Sequence, residues 1–298
     1  MKKLIAIMLT VLMALSMAAC AKTEAPAAAA AENAKVYNVV SLVNGNLGDK
    51  SFFDSAESGL KELADAGRIT YKQNDIGYLI GVFAAGMTGD TSVSNINAEK
   101  VVGFIGGVDS PVINDFLYGF LEGAKATDPE VKVDTRYVNS YVDTATAKEM
   151  GLSMINDKNC DIIWGVAGLS GNGGAEAALE TGKSWFIGVD SDQELTLSPE
   201  LAAITLTSGL KNIGNSIVWI FDEWDAGNTY WGSKVQLGIS EGGVGIVTDK
   251  NFSKVAPKGV QDAVTAAQEA IVKGEIVVPS AIGDESNAVV ALRDSMQP

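Results

Sequence analysis

Asp190 ends a hydrophobic segment and begins the polar run Asp190-Ser191-Asp192-Gln193. A carboxylate at the C-terminal end of a buried strand can accept hydrogen bonds from two neighbouring hydroxyl groups, as the acidic residue of dinucleotide-binding folds does with ribose. The alternative is that Asp190, and Asp192 even more readily, caps a turn. A calcium loop is not predicted, because the glycine and the distal glutamate of that pattern are missing.

Residues 168–174, with the sequence GLSGNGG, form a second loop that could bind a ligand. The loop precedes a predicted helix, and exposed amides at a helix start can bind oxygen atoms. It is not a phosphate-binding Walker loop, because the Lys-Ser/Thr pair is absent, and it does not complete a nucleophile elbow. Trp164, in the strand before it, either lies in the core or faces a cleft, and its indole N–H needs a partner in both cases.

Two further loops carry candidate binding groups. In residues 44–53, Asp49 or Ser51 could cap the following helix, and Phe52 and Phe53 are adjacent. A helix can point only one of two adjacent residues squarely into the core, so the other is free to stack on a flat ligand. Lys211 follows residues 207–210 and is either solvated or directed at a cleft, where it would neutralise acidic groups or bind a ligand carbonyl.

The sequence contains no histidine. This excludes Ser-His-Asp and Cys-His nucleophilic systems and histidine metal sites. A hydrolase using Asp190 and Asp192 is disfavoured, because side chains two residues apart in a tight turn have no reason to flank a scissile bond. We therefore predict a binding protein with no catalytic residues, no cofactor and no metal.

The N-terminus has the layout of a lipoprotein signal. Residues 1–20 begin with two lysines, continue with an apolar run and end in Ala-Ala-Cys20. We predict that Cys20 is lipidated, that the alanine-rich residues 21–35 form a tether, and that the protein is anchored to the extracytoplasmic face of the cell membrane. The alternative is a simple cleaved signal in which Cys20 is incidental. The excess of 37 acidic over 22 basic residues predicts no binding to nucleic acid.

The elements that position these loops alternate between strands and helices. Helices are predicted over Phe53 to Ala64, from Ser110-Pro111 onwards, and after Asp143 as the cap. Strands separated by single helices predict an α/β protein with two doubly wound lobes, which bind ligands at the C-terminal ends of their strands. The predicted strands are Tyr37 to Val43, Val101 to Ile105, Val131 to Val138, Asp161 to Val166, Trp185 to Val189 and Val235 to Ile239.

Several motifs, occurring in order, resemble the BMP family, the PnrA-like purine nucleoside receptor lipoproteins. They are Gly48-Asp49-Lys50-Ser51-Phe52, Lys72-Gln73-Asn74 with Gly77-Tyr78-Leu79, Gly103-Phe104-Ile105-Gly106-Gly107, residues 168–173 and residues 187–193. The resemblance extends from Tyr37 to about Ile276. It implies a type I periplasmic-binding-protein fold, with two α/β lobes joined by a hinge and closing on a nucleoside.

The resemblance also implies roles for individual residues. Phe52 and Trp164 would be aromatic plates around the base, with Trp164 at a position where the family usually has phenylalanine. Asp190 would hold the ribose hydroxyls, and Lys211 would reach the cleft beside it. Asn44 or its neighbour stands where many members have an aspartate that meets the base edge. The full ligand-binding set that we predict is Asn44, Asp49, Phe52, Trp164, Gly168, Ser170, Asp190 and Lys211, with Gly168 and Ser170 lining the sugar or base edge through backbone groups.

The first lobe departs from the family pattern between Gly67 and Tyr71, where about two βα units, roughly 30 residues each, are missing. We therefore expect a truncated N-terminal lobe, residues 36–100 with about 206–232, and an intact C-terminal lobe, residues 101–205 with about 233–298. The resemblance implies a monomer that delivers its ligand to an ABC permease and ATPase. The alternatives are a degraded receptor that acts only as a surface interaction lipoprotein, or a receptor for a different small solute.

Overall fold

The computed structural model describes residues 70–230, 235–283 and 286–298. The strands are β1 (Thr70–Tyr71), β2 (Val101–Gly106), β3 (Lys132–Tyr137), β4 (Ile162–Val166), β5 (Trp185–Asp190), β6 (Thr205–Lys211), β7 (Gln236–Leu237) and β8 (Val244–Ile246). The helices are α1 (Gln73–Met87), α2 (Pro111–Thr127), α3 (Thr144–Lys158), α4 (Asn172–Thr181), α5 (Gln193–Thr196), α6 (Pro199–Ala203), α7 (Ile213–Asp225), α8 (Lys250–Val255), α9 (Lys258–Val272) and α10 (Ser286–Met296).

Six strands form one sheet in the order β3-β2-β4-β5-β6-β8. The first five are parallel, and β8 runs antiparallel to β6 at the edge. Every residue of β2, β4 and β5 is buried, as expected for continuous apolar strands that helices cover on both faces. The strands predicted near residues 101, 131, 161 and 185 are confirmed, whereas the strand predicted from Val235 is reduced to the two residues of β7.

The predicted helix starts at Pro111 and Thr144 are also confirmed. Pro111 is the first residue of α2, where a missing backbone N–H costs nothing. The side chain of Asp143 accepts a hydrogen bond from the backbone N of Thr146 at 3.0 Å and so caps α3. At its other end α3 stops at Asn159, which adopts the left-handed conformation with φ 58°.

Helices α1 and α2 pack together with almost no side chain between their backbones. A Cβ added at Gly77 or Gly81 of α1 would collide with backbone oxygens of α2, and one added at Gly119 or Gly123 of α2 would collide with backbone oxygens of α1. Glycine at spacing four on both helices therefore permits this close approach. The pair covers one face of the sheet, where α1 lies over Gly209 of β6.

An aromatic cluster fills the space between these helices and the sheet. The ring of Trp164 contacts Phe104 of β2 and Phe116 of α2 edge to face, with centroids 5.5 and 5.9 Å apart. Phe120 of α2 lies 5.1 Å from the same indole. These rings are among the largest fully buried side chains of the described residues, and their packing fixes α2 on the sheet.

One sheet joins described segments that the sequence assigns to different lobes. Of the predicted first lobe, residues 36–100 with about 206–232, helix α1 packs on α2, β6 and β8, and β6 is a strand of the six-stranded sheet. This sheet buries the apolar face of α1. The predicted lobe boundaries stay a prediction. Separately, β1 pairs with β7 in parallel.

Asp161, just before β4, joins the sheet to the segment that follows α1. Its fully buried carboxylate accepts hydrogen bonds from Thr88 Oγ1 at 2.8 Å and from the backbone N of Asn97 at 3.2 Å. Burial raises the pKa of Asp161 to about 7, although the hydrogen bonds act in the opposite direction. The folded protein therefore binds this proton more tightly than the unfolded chain, in which the pKa is about 3.8.

This shift predicts that the protein loses stability as the pH rises. The contribution of Asp161 is fully present below about pH 4 and is lost as the pH rises from 4 through 7, because over this range the carboxyl is ionised in the unfolded chain but still protonated in the folded protein. Between pH 5 and 8 we expect a loss of about 2–3 kcal/mol that is absent from Asp161→Asn, measured by denaturant unfolding at each pH. Asp157→Asn, at an exposed carboxyl of α3, is the control and should keep the wild-type profile.

Candidate functional site

The five parallel strands β2 to β6 end at one edge of the sheet, which is where doubly wound proteins bind ligands. The segments at this edge are residues 107–110 after β2, 138–143 after β3, 167–171 after β4, 191–192 after β5, and 212 after β6. The structure thereby brings Gly168, Asp190 and Lys211 to the same edge, as the sequence predicts. Cys20, Asn44, Asp49 and Phe52 lie outside the described residues.

Asp190 is the last residue of β5 and is 9% exposed. Its φ of 64° places it in the left-handed region, which asparagine and aspartate enter more readily than other non-glycine residues. The turn that follows is held by buried Gln193: its Oε1 accepts from the backbone N of Val189 at 3.1 Å, and its backbone N donates to Ser208 Oγ at 3.1 Å. The carboxylate is thus supported on a fixed turn.

Lys211 ends the neighbouring strand β6 and is 6% exposed. Its Nζ lies 5.4 Å from the ring centroids of both Tyr71 and Phe116, within the range of a cation–π contact. Burial lowers the pKa of Lys211, while the negative charges of Asp190 and Asp115 act in the opposite direction. Residues 207–211, which the sequence predicts as a loop, lie in strand β6.

Asp115 of α2 is the second carboxylate near Lys211. It is buried and accepts hydrogen bonds from the backbone N of Asn74 at 3.2 Å, from Ser280 Oγ at 2.6 Å and from the backbone N of Ala281 at 2.9 Å. Burial raises the pKa of Asp115, and these hydrogen bonds and Lys211 oppose the rise. Asp115 therefore fastens α1, α2 and the segment before α10 together next to the site.

Tyr141, which the sequence analysis does not identify, is the exposed aromatic residue at this edge. Its side chain is 43% exposed, and its ring lies so close to Gly107 that a Cβ there would collide with it. A Cβ at Gly168, on the other side, would lie 3.6 Å from the Cβ of Tyr141. Burial raises the pKa of Tyr141, a hydrogen bond with Ser110 lowers it, and the charge of Asp190 raises it. The sequence offers one signal for this residue, which is an aromatic side chain shortly after the predicted strand Val131 to Val138.

Trp164 does not face a cleft. Its indole is fully buried in the aromatic cluster, and its Nε1 donates to the backbone O of Gly188 at 3.0 Å. Both faces of β4 are covered by helices, so the side chain points into the core although its strand ends at the binding edge. This corrects the implied role of Trp164 as an aromatic plate, and the core alternative applies.

Ser170 also differs from its implied role. It is fully buried, its Oγ donates to the backbone O of Ser140 at 3.1 Å and accepts from the backbone N of Asp143 at 2.8 Å. Its own backbone N donates to the backbone O of Tyr141 at 3.1 Å. Because these groups are engaged within the protein, Ser170 does not line the sugar or base edge. Gly168 is half-buried, with φ 55°, and remains available at the edge.

The other residues with reactive side chains near the strands have structural roles. Asp192 binds Lys250, with Oδ2 and Nζ 2.7 Å apart, and so is not arranged with Asp190 as a catalytic pair. Cys160 is buried, and this burial raises the pKa of its thiol. Within residues 70–230, 235–283 and 286–298, no group of three or more Cys, Asp and Glu side chains could hold a metal ion.

A cavity of about 430 Å³ lies at the opposite end of the sheet, lined by Asn97, Cys160 and Lys183 among others. None of the predicted site residues lines it. The loops at the C-terminal edge of the sheet therefore remain the candidate site.

The described residues include no helix long and apolar enough to cross a membrane.

A mostly parallel sheet with helices on both faces, and with polar groups at the C-terminal edge of its strands, is an arrangement that many ligand-binding α/β proteins share. A solute-binding protein of an ABC transporter system from Aeropyrum pernix K1 superposes with a TM-score of 0.61 at 20% identity, over 85% of this chain and 97% of that one. One from Conexibacter woesei DSM 14684 gives a TM-score of 0.57 at 22% identity, over 72% of this chain and 65% of that one. These likenesses show the fold.

The chain belongs to the Bmp family of PnrA-like ABC transporter substrate-binding proteins, whose model matches residues 64–281. The "ABC transporter nucleoside-binding protein BmpA" of Lactococcus lactis subsp. cremoris is 31% identical over 78% of this chain and 65% of its own length. "Basic membrane protein A" of Borreliella afzelii is 29% identical over 82% of this chain and 70% of its own length. The chain thus spans slightly less than two thirds of the Lactococcus relative.

Proposed function

We propose that the protein binds a purine nucleoside at the C-terminal edge of its six-stranded sheet and delivers it to the permease and ATPase of an ABC importer. The observation that carries the proposal is the position of an exposed aromatic ring, Tyr141, at the same edge as a buried carboxylate, Asp190. A nucleoside joins a flat base to a sugar with two neighbouring hydroxyls, and these two groups meet those two needs.

The strand order supports the spacing that such a ligand requires. The Tyr141 ring lies against Gly107, which follows β2, and Asp190 ends β5, with β4 between those strands. Neighbouring strands are about 5 Å apart, so the ends of β2 and β5 are separated by about 10 Å. A nucleoside is of comparable length. The base would stack on the exposed ring while the ribose hydroxyls donate to the carboxylate.

Lys211 and Gly168 complete the described part of the proposed site. The charges of Lys211 and Asp190 interact, which favours an ionised carboxylate able to accept two hydrogen bonds. Gly168, between Tyr141 and Asp190 along the edge, leaves room for the sugar because it has no side chain. The name of the Lactococcus relative, a nucleoside-binding protein, supports the choice of ligand class.

The remaining parts of the proposal concern residues outside the described structure. A lipid on Cys20 and the tether 21–35 would hold the protein at the extracytoplasmic face of the membrane. Asn44, Asp49 and Phe52 would approach the ligand from the first lobe, so that the ligand favours the closed state by the additional contacts it makes there. Membership of a family of ABC transporter substrate-binding proteins supports a receptor without catalytic activity.

Stacking of the base on Tyr141 predicts that removing the ring lowers the affinity for nucleosides. Tyr141→Ala should weaken binding of guanosine, inosine or adenosine by about tenfold, because stacking on an aromatic side chain contributes about 1–3 kcal/mol per base. Isothermal titration of wild type and variant gives the comparison. Tyr141→Phe, which keeps the ring, should bind within about twofold of wild type. Equal affinities for wild type and Tyr141→Ala would show that the base does not stack there.

A further inference from the structure

The loop that carries Tyr141 needs support from outside its own strand. Residues 139–143 follow β3, which is the edge strand of the sheet and pairs only with β2 among the described strands. On the β2 side, the backbone N of Ser140 donates to the backbone O of Gly107 at 3.1 Å. Val142, two residues further on, is 64% exposed, and its backbone N donates a hydrogen bond within the loop to Ser140 Oγ at 3.1 Å. Packing of side chains into the core therefore does little to fix this loop.

Ser170 supplies the contacts on the β4 side. Its hydroxyl bridges two backbone groups of the loop, because it donates to the O of Ser140 at 3.1 Å and accepts from the N of Asp143 at 2.8 Å. Its backbone N adds a third hydrogen bond, to the O of Tyr141 at 3.1 Å. All three contacts go to one short loop, and the serine is fully buried. A buried hydroxyl with both its donor and its acceptor engaged holds its partners in a defined arrangement.

The ring of Tyr141 is consequently fixed from several directions. Gly107 lies under it, Gly168 lies beside it, and Ser110 forms a hydrogen bond with its side chain. The main chain that carries the ring is held by Ser170. A binding surface that is already in its bound conformation does not have to be ordered when the ligand arrives, so the affinity is higher.

We propose that Ser170 is a positioning residue, which does not touch the ligand but fixes the 139–143 loop and with it the stacking ring of Tyr141. The effect on affinity rests on the proposed nucleoside function, whereas the effect on the loop does not. The proposal requires the hydroxyl of Ser170 with its two hydrogen bonds, and a small side chain alone at position 170 would not be enough.

The effect on the loop is tested in the full chain without ligand, by NMR of protein with carbon-13 in the tyrosine rings. The protein has seven tyrosines, and loss of one signal in Tyr141→Phe assigns that of Tyr141. In Ser170→Ala the Tyr141 signal should shift or broaden while the other signals stay in place. Ser153→Ala, at a half-buried serine of α3 whose hydroxyl bonds to Asp157 of the same helix, is the control and should leave all signals unchanged. A Tyr141 signal identical to that of wild type in Ser170→Ala would overturn the proposal.

The effect on affinity is tested by a double-mutant cycle with guanosine. Ser170→Ala should lower the affinity about tenfold in the wild-type background and hardly at all in Tyr141→Ala, because both changes remove the same contribution. Additive losses would show that Ser170 acts on binding without Tyr141. Should Ser170→Ala fail to fold, Ser170→Cys keeps a similar side chain with weaker hydrogen bonds and should give the same changes to a smaller extent. If wild type binds no nucleoside, the proposed function fails, and the NMR comparison alone decides the role of Ser170.

Discussion

Replacing Asp190 with asparagine should lower the affinity for guanosine, inosine and adenosine by about 100-fold. The carboxylate is proposed to accept two ribose hydroxyls, and hydrogen bonds to a charged group contribute about 1.5–3 kcal/mol each. Asparagine is preferable to alanine here, because it tolerates the left-handed backbone at φ 64° and keeps the shape of the side chain. The loss then reports the charge and the lost acceptor, and not a distorted turn.

Asp192→Asn is the matched control for this variant. Asp192 is also acidic and lies two residues further along, but its carboxylate forms an ion pair with Lys250. Nucleoside affinity should therefore stay within about twofold of the wild-type value. Calorimetric titration of both variants, with melting temperatures measured beside it, separates binding from folding. An Asp190→Asn variant that binds as tightly as wild type would exclude a ribose contact at this residue.

Gly119→Ala should destabilise the protein by about 3 kcal/mol and lower its melting temperature by about 10 °C. A methyl group at this position would collide with the backbone O of Asn74, and backbone atoms of a packed helix cannot turn aside as a side chain can. The helices α1 and α2 would have to separate, which would also disturb the aromatic cluster that α2 forms with Trp164. Differential scanning calorimetry measures the change.

Gly259→Ala is the control for the glycine substitution. Gly259 lies in the first turn of α9, is exposed, and has no heavy atom near the position of an added Cβ. Because alanine favours a helix by up to about 1 kcal/mol relative to glycine, this variant should be as stable as wild type or slightly more stable. Equal melting temperatures for Gly119→Ala and wild type would contradict the close packing of α1 on α2.

Three of the strands that the sequence predicts correctly, β2, β4 and β5, are nearly continuous apolar runs. β2 and β5 are each buried along their whole length, so composition alone indicates them. β6 is different, because its sequence TLTSGLK mixes polar residues with leucines and glycine. It is a strand because it pairs with β5 on one side and β8 on the other, and Thr207 Oγ1 donates to the backbone O of Val247 at 2.6 Å. Such support from distant residues is not visible in a local pattern.

The candidate site also contains residues whose positions depend on contacts that a local sequence pattern does not show. Asp190 is predictable, because it ends the apolar strand β5 and so reaches the binding edge. Lys211 ends β6, which the local pattern does not reveal as a strand, so its placement beside Asp190 comes from the family resemblance. The direction of Trp164 is not predictable, because both faces of β4 are buried and only the packing of α2 decides which face holds the indole. Ser170 depends on partners about 30 residues away in the chain, at Ser140 and Asp143. Its role becomes visible only when the loops after β3 and β4 are brought together.

The most direct test of nucleoside recognition is a titration of the full chain with guanosine, inosine, adenosine and free ribose, followed by tryptophan fluorescence and melting temperature. We expect saturable binding of at least one nucleoside, a rise in melting temperature with its concentration, and a need for about 100-fold more ligand for both effects in Asp190→Asn. A cooperatively folded protein that responds to none of the four ligands would contradict nucleoside recognition and favour a receptor for another solute or a surface interaction lipoprotein.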